Sequence, residues 1–544
     1  MKKIIAVILL ICTVLSISSC DSGDQKPSGG DNGPANLKSW TFHSFEKTVV
    51  NAAPDGTFKT DYKVYLSKGE TEGCQVAIYS DKEIKNVSLT LKSGETELIK
   101  PAMFSMNRTH KIARKQYTDS LIPYYGKRLT IEANVILPFM IEFTTDENTP
   151  AGDYEYVYEL VDKEKNVLAT YNITVHVWDF ELPKEKTFAT SAGLRSDYIA
   201  HFNGTYNEAI YSVWYEALLE HNLSAYYIPY GIFDERGEKY MSDPRVTSFM
   251  VVLPTDENGK LIEDEVTKIR ARLKENPEWL KKAFFLPLDE PHNEKQLAEL
   301  KEWEETLTRL CPEVEIMAPY YTNIQVGAGR DQTDEMEAYT DLWCPKLCLW
   351  DDERSYGDFL NYTPSKSFHE RMNEQIAKGD RMWSYVCNDP DDPYAQLFVD
   401  TEGVNQRLMF WQMYQRDIKG FLYWCANYYG YTTGGKKVPI NPWNTTNTKV
   451  TNGQGITIFG EGFLFYPGSE IGYGGAVPSI RAKIVRDGID DLEMFYLAEK
   501  YLDKDWIVNK TKEGTPTLTE YANGDKYASL RIEIGNALEA AMKK

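Results

Sequence analysis

The sequence predicts a multidomain molecule, an N-terminal antiparallel β-sandwich followed by a (β/α)8 TIM barrel. Three observations carry this. Residues 39–184 alternate apolar and polar side chains with a period of two, interrupted by Gly, Asp, Asn and Lys turns. Past Leu182-Pro183 the rhythm becomes short apolar strands separated by amphipathic helical stretches. Eight such strands follow one another over roughly 250 residues, the length such a barrel needs. A doubly wound open sheet has the same local pattern and is the alternative.

In chain order, Met1-Lys2-Lys3 is a basic start and residues 4–16 are an apolar run too short to span a bilayer, so residues 1–19 read as a secretory signal peptide. Ile17-Ser18-Ser19-Cys20 closes that run with small residues before a cysteine. This is the pattern of a bacterial lipoprotein, in which Cys20 carries the lipid and holds the protein to the outer membrane, on its periplasmic or surface side. Ordinary cleavage nearby, with Cys20 a plain residue, is the other reading. Residues 20–38 are rich in Ser, Gly, Asp, Asn and Pro and predict a flexible tether.

The sandwich, 39–184, takes its strands from segments such as 62–67, 75–79, 87–91 and 171–177, with no helix among them. The barrel, 185–505, takes its eight strands from 190–194, 224–229, 248–254, 283–288, 315–319, 341–347, 382–386 and 421–425. Helical stretches are expected at 207–220, 266–282, 294–310, 368–378 and 404–417, where apolar residues recur every three to four positions. A long helix over 479–500 follows. The remaining segment, 506–544, is expected to pack on the barrel through a terminal helix over 526–544.

Composition narrows the function. The 544-residue chain is 42% hydrophobic and 26% charged, which excludes a disordered chain, a collagen and a polytopic membrane protein. Its 60 Lys and Arg against 81 Asp and Glu give a net charge of −21, which argues against a nucleic-acid partner. The six cysteines beyond residue 20 are irregularly spaced, without CxxC or a His cluster, so no metal is expected and most should be buried thiols. Nucleophile-elbow, phosphate-loop, HExxH and dinucleotide motifs are missing, and no organic cofactor is expected.

The sharpest chemical signal is Phe284-Phe285-Leu286-Pro287-Leu288-Asp289-Glu290-Pro291, an apolar run ending in two adjacent carboxylates. At the C-terminal end of a barrel strand this is where such enzymes carry catalytic groups. Two carboxylates suit glycoside hydrolysis, but consecutive residues on a regular strand face opposite ways. Adjacent Asp-Glu therefore fits substrate assistance, in which the sugar's 2-acetamido oxygen is the nucleophile, Asp289 holds the acetamide N–H and Glu290 protonates the leaving oxygen. Both reach one pocket only if the backbone leaves strand geometry by Asp289. The plainer reading is a polar loop whose acids cap the next helix. Aromatic and polar residues at the ends of the later strands are candidate substrate contacts: Tyr320, Trp350, Trp383, Tyr385, Trp424 and Asn427. Core filling is the alternative for each. Trp383 and Tyr385 share strand parity and can both face inward, whereas Trp424 and Asn427 do not share it.

Three segments together resemble glycoside hydrolase family 123. They are Leu288-Asp289-Glu290-Pro291; Trp383-x-Tyr385 with Gly420-Phe421-Leu422-Tyr423-Trp424; and Gly462-Phe463-Leu464-Phe465-Tyr466-Pro467-Gly468 with Pro478-Ser479-Ile480-Arg481 and Arg486-Asp487-Gly488-Ile489-Asp490-Asp491-Leu492-Glu493. The resemblance spans about residues 40–500. It implies a β-sandwich, a catalytic barrel, and retaining exo-hydrolysis of β-linked N-acetylgalactosamine by substrate assistance. By position it makes Asp289 the acetamide-orienting residue and Glu290 the acid/base. Arg486 and Asp487 are expected to tie their helix to the barrel. Against this pattern, Phe463-Leu464-Phe465 is unusually apolar and residues 428–457 form a long insert. The expected function is thus an exo-β-N-acetylgalactosaminidase acting on a glycan or glycoconjugate. Another glycosidase on the same scaffold, or a non-catalytic carbohydrate-binding lipoprotein, are the alternatives.

Overall fold

The computed structural model describes residues 36–94, 96–320, 325–327, 330–351, 366–390, 392–452 and 454–544. The expected signal peptide, Cys20 and nearly all of the tether lie outside these residues.

Two five-stranded sheets build the N-terminal part. The first runs Leu37–His43, Thr71–Ser80, Leu137–Thr144, Lys100–Arg108, Thr118–Pro123, antiparallel throughout. The second runs Asp61–Lys68, Val167–Glu181, Gly152–Val161, Ile84–Ser93, Leu129–Ile131. Its inner faces meet those of the first in one apolar cluster, with Val76, Ile78, Phe139 and Ile141 opposite Leu89, Tyr156, Tyr158 and Ile173. The expectation of a wholly antiparallel sandwich is corrected at one pair, because Asp61–Lys68 lies parallel to Val167–Glu181. In that long strand Tyr171, Ile173, Val175 and Val177 are buried between the sheets. At its end the register slips, and Trp178 and Phe180 turn instead into the barrel-side core.

The second part is a sheet of seven strands, parallel throughout and ordered Ala189–Ala192, Gly420–Tyr423, Arg381–Tyr385, Leu342–Pro345, Glu315–Tyr320, Ala283–Phe285, Phe249–Met250. It curls into a nearly closed barrel. The strand expected over 224–229 makes only an isolated bridge to Ala192. Even so, that segment spans the gap between the first and last strands. The Ser224 carbonyl accepts from the Ala192 amide at 2.8 Å, and the Tyr226 carbonyl from the Met250 amide at 2.7 Å. Inside the barrel, Phe284, Met317, Leu342, Cys344, Trp383, Tyr385 and Leu422 form a separate apolar plug.

The helices follow their local signals. Asn293 caps Glu294–Leu310 by accepting from the Gln296 amide, and Ser367 with Glu370 forms a capping box on Phe368–Lys378. The stretch expected as one helix over 266–282 is two, Glu263–Leu273 and Pro277–Lys282, because Pro277 can begin a helix but not continue one.

Helix Ile480–Ala498 is buried along its whole length, packed on helices Gly403–Gln415 and Gly524–Met542. Its charges meet the sandwich, which corrects the expectation for Arg486, whereas Asp487 does reach the barrel side, 3.5 Å from Arg407 Nη1 on helix Gly403–Gln415. Arg486 pairs with Glu142 of the sandwich at 2.7 Å and with its neighbour Asp487, and Lys483 pairs with Glu142 at 2.8 Å. One turn earlier Arg481 makes two 2.8 Å bonds to Asp119, also of the sandwich. Asp491 holds Arg407 at 3.0 Å and Arg531 at 2.7 Å, and those two arginines reach Glu72 and Glu70. The helix is thus a buried ionic seam between sandwich and barrel. The six cysteines beyond residue 20 are free thiols, five of them buried.

Candidate active site

Strand Ala283–Phe285 ends early, and the residues after it abandon strand geometry. Phe284 and Leu286 pack on the barrel interior, as a period of two requires, but Leu288 packs on the outer core. The alternation is therefore broken before the carboxylates. Glu290 then adopts φ +46°, a left-handed conformation that costs a non-glycine residue about 1 kcal/mol. Its amide donates to the Pro319 carbonyl at 3.1 Å, pinning the turn to the next strand. His292 stays exposed, its Nδ1 3.1 Å from the Glu290 carbonyl and its amide donating to Gln296 Oε1 at 3.0 Å.

The outcome is that Asp289 and Glu290, although consecutive, line one cavity of about 720 Å³. Tyr226, Met250, Leu253, Leu286, Tyr385, Leu422, Trp424, Tyr428 and Glu461 complete much of its wall. Asp289 is exposed to the open part of the cavity, while the walls around it remove part of its hydration. Burial, and then the neighbouring Glu290 charge, push its carboxyl up to about 6. Tyr385 donates its hydroxyl hydrogen to Glu290 Oε1. That phenol is held far above its ordinary range, chiefly by burial, so it remains a donor. Burial likewise pushes Glu461 up to about 7, and the Trp424 indole Nε1–H donates to it. Among the described residues no group of three or more His, Cys, Asp and Glu side chains is arranged to hold a metal.

This arrangement places a protonatable pair of carboxylates in an aromatic-walled cavity at the carboxyl ends of barrel strands, the geometry of a glycosidase. The family model of the glycoside hydrolase 123 catalytic domain matches residues 140–498. The chain belongs to glycoside hydrolase family 123. It is a glycosidase. Its fold is similar to that of a family 123 glycoside hydrolase from Clostridium perfringens, described in terms of glycolipid glycan hydrolysis. The TM-score is 0.64, with 13% identity, over 93% of this chain and 98% of that one. A β-D-glucuronidase from Dictyoglomus thermophilum aligns at a TM-score of 0.29 and 11% identity, over 78% of this chain and 68% of that one. No curated protein sequence matches the chain.

Within this family 123 cavity the candidate contacts separate. Tyr385 and Trp424 line the wall. Four others lie elsewhere, each for a packing reason, and the expectation that they contact substrate is corrected. Trp383 is fully buried beneath the cavity, its ring over Gly420, where a β-carbon would come within 2.4 Å. Tyr320 is buried between Trp343 and Phe368, with its hydroxyl 3.7 Å from Met372 Sδ. Trp350 packs perpendicular to Phe368 and His369. Asn427 clips the backbone of Arg195, accepting from its amide at 2.7 Å and donating to its carbonyl at 3.0 Å. Tyr321 lies outside the described residues. The sequence reading missed Tyr226 and Glu461. Glu461 had one local signal, an acid between Gly460 and Gly462 directly before a buried apolar run. The long insert contributes Tyr428 and Val450 to the wall.

Proposed function

We propose that the protein is a retaining exo-β-N-acetylgalactosaminidase that uses substrate-assisted catalysis. The observation that carries the reading is that two consecutive carboxylates, Asp289 and Glu290, line the same cavity. In the first step the acetamide carbonyl oxygen of the bound sugar attacks C1 and the C1–oxygen bond to the aglycone breaks. The carboxylic acid of Glu290 gives its proton to the departing oxygen, and an oxazolinium ring remains. Asp289, as a carboxylate, accepts from the acetamide N–H and stabilises the positive charge that develops on it. In the second step water attacks C1, Glu290 takes the water's proton, and the ring reopens to the acetamide. Two displacements at C1 give net retention. Tyr385, donating to Glu290, supports it in the carboxylate form it holds between the steps.

The aglycone would be a glycan or glycoconjugate, and the barrel would adopt the full (β/α)8 form with residues 224–229 as its eighth strand. We also propose that Cys20 is lipidated and anchors the protein to the outer membrane. Loss of envelope association in the Cys20→Ser variant tests this, and unchanged association contradicts it. Proton NMR of the first-formed product tests the mechanism. The β-anomer of N-acetylgalactosamine should appear first. Initial formation of the α-anomer would mean inversion and overturn the reading.

A further inference from the structure

Glu461 is a third carboxylate on the cavity wall, and the proposed chemistry leaves it without a task. It is 1% exposed, and a buried carboxylate is costly unless its hydrogen bonds repay the lost hydration. Its partners are specific. Trp424 Nε1–H donates to Oε1, and the Tyr423 hydroxyl lies 3.5 Å from Oε2. The nearby Arg481 guanidinium is committed to Asp119 and to the Leu397 and Gly460 carbonyls. Glu461 is therefore held by the aromatic donors of the adjoining strand end.

The same loop shapes the other edge of that indole. Gly462 has φ +77°, and a β-carbon there would lie 2.3 Å from Trp424 Cζ2. Tyr423 accepts the Gly462 amide at 3.2 Å, and Tyr428 packs on the Trp424 ring at 5.0 Å between centroids. Glu461 grips the indole's single donor, Gly462 clears room for its six-membered ring, and Tyr428 fixes its tilt. Trp424 itself remains half-buried with its surface on the cavity. Aromatic surfaces bind the C–H face of a sugar ring only when held at a fixed angle.

We propose that Glu461 is a positioning residue: its hydrogen bond to Nε1 locks Trp424 as the platform against which the sugar ring lies. This rests on the cavity being the sugar site. It does not depend on which sugar is cleaved.

The test is isothermal titration of the wild type with N-acetylgalactosamine, N-acetylglucosamine and galactose, followed by the tightest-binding sugar on variants. Glu461→Ala should weaken binding about tenfold and raise KM of the matching nitrophenyl β-glycoside by a similar factor, with a smaller change in kcat. Glu461→Gln, which keeps an acceptor for Nε1–H, should restore most of the affinity. On a Trp424→Ala background, Glu461→Ala should change affinity no further. If Glu461→Ala does not fold, as judged by thermal unfolding, Glu461→Gln on wild-type and Trp424→Phe backgrounds reads the same cycle. Any loss from that substitution should then vanish once Nε1 is gone. Persistence of the Glu461 effect without the indole would overturn the proposal. Failure of Glu461→Gln to rescue would do so too. Tighter binding of galactose than of either acetamido sugar would contradict the substrate-assisted reading alone. Binding of none of the three would overturn this proposal together with the sugar-site assignment.

Discussion

In the proposed mechanism Glu290 and Asp289 divide the chemistry because their surroundings differ. Glu290 accepts from Tyr385 and is pinned by its backbone, whereas Asp289 has the open cavity in front of it and its titration displaced upward. Glu290→Gln should lower kcat on a natural glycan by about 10²- to 10⁴-fold, the usual contribution of a general acid. The loss should be much smaller on a nitrophenyl leaving group, which departs without a proton. Full activity on the natural glycan would remove Glu290 from the role of acid. For Asp289 the sign follows from its carboxyl standing near 6. The proposed role needs the carboxylate, so kcat/KM should fall as pH drops through about 6, and Asp289→Asn should lower the plateau and abolish that limb. A wild-type limb near the ordinary carboxylate value would contradict the assignment. Tyr385→Phe strips the donor from Glu290 and should cost about ten- to a hundredfold in kcat/KM, since a hydrogen bond to a charged group contributes about 1.5–3 kcal/mol.

Helix Ile480–Ala498 makes a prediction of reversed sign. Replacing a helix-interior glycine by alanine ordinarily stabilises by about 1 kcal/mol. At Gly488 the new β-carbon would lie 2.4 Å from Phe410 Cδ2 on helix Gly403–Gln415. Gly488→Ala should therefore destabilise by about 1–3 kcal/mol, as overpacking does, read as a lower Tm. An unchanged or raised Tm would show that the two helices separate easily. The elements also show where sequence reading succeeds. Helices 294–310 and 368–378 were legible to the residue, because Asn293 and the Ser367–Glu370 box are local signals written beside them. The Asp289–Glu290 site was legible because an apolar run stops at two acids. What was hidden depends on distant partners. Period-two alternation says nothing of strand direction, so the parallel pair Asp61–Lys68 and Val167–Glu181 left no trace. Tyr320 and Trp350 look like substrate contacts until helix Phe368–Lys378 covers them. Glu461 meets Trp424 across 37 residues.

For the whole molecule, the ionic seam makes the sandwich part of the enzyme rather than an appended module. Asp119 and Glu142 of the sandwich pair with Arg481, Lys483 and Arg486 of the barrel-side helix, and Asp119 and Arg481 are both fully buried. Removing one partner of a buried pair costs about 3–5 kcal/mol, because the other charge is left uncompensated. Asp119→Ala should accordingly lower Tm while keeping one calorimetric transition. Separate unfolding of the sandwich below an unshifted barrel transition would refute that coupling. The seam also carries the helix bearing Arg481, whose guanidinium binds the Gly460 carbonyl next to Glu461. The sandwich thus supports the cavity from behind. The central claim remains that the substrate's own acetamide is the nucleophile in this cavity. Its most direct test compares kcat/KM on 4-nitrophenyl β-N-acetylgalactosaminide with that on 4-nitrophenyl β-galactoside, which differs by lacking the acetamide. Hydrolysis of the first, with the second slower by about a thousandfold or more, is the predicted result. Equal or faster cleavage of the galactoside would contradict it.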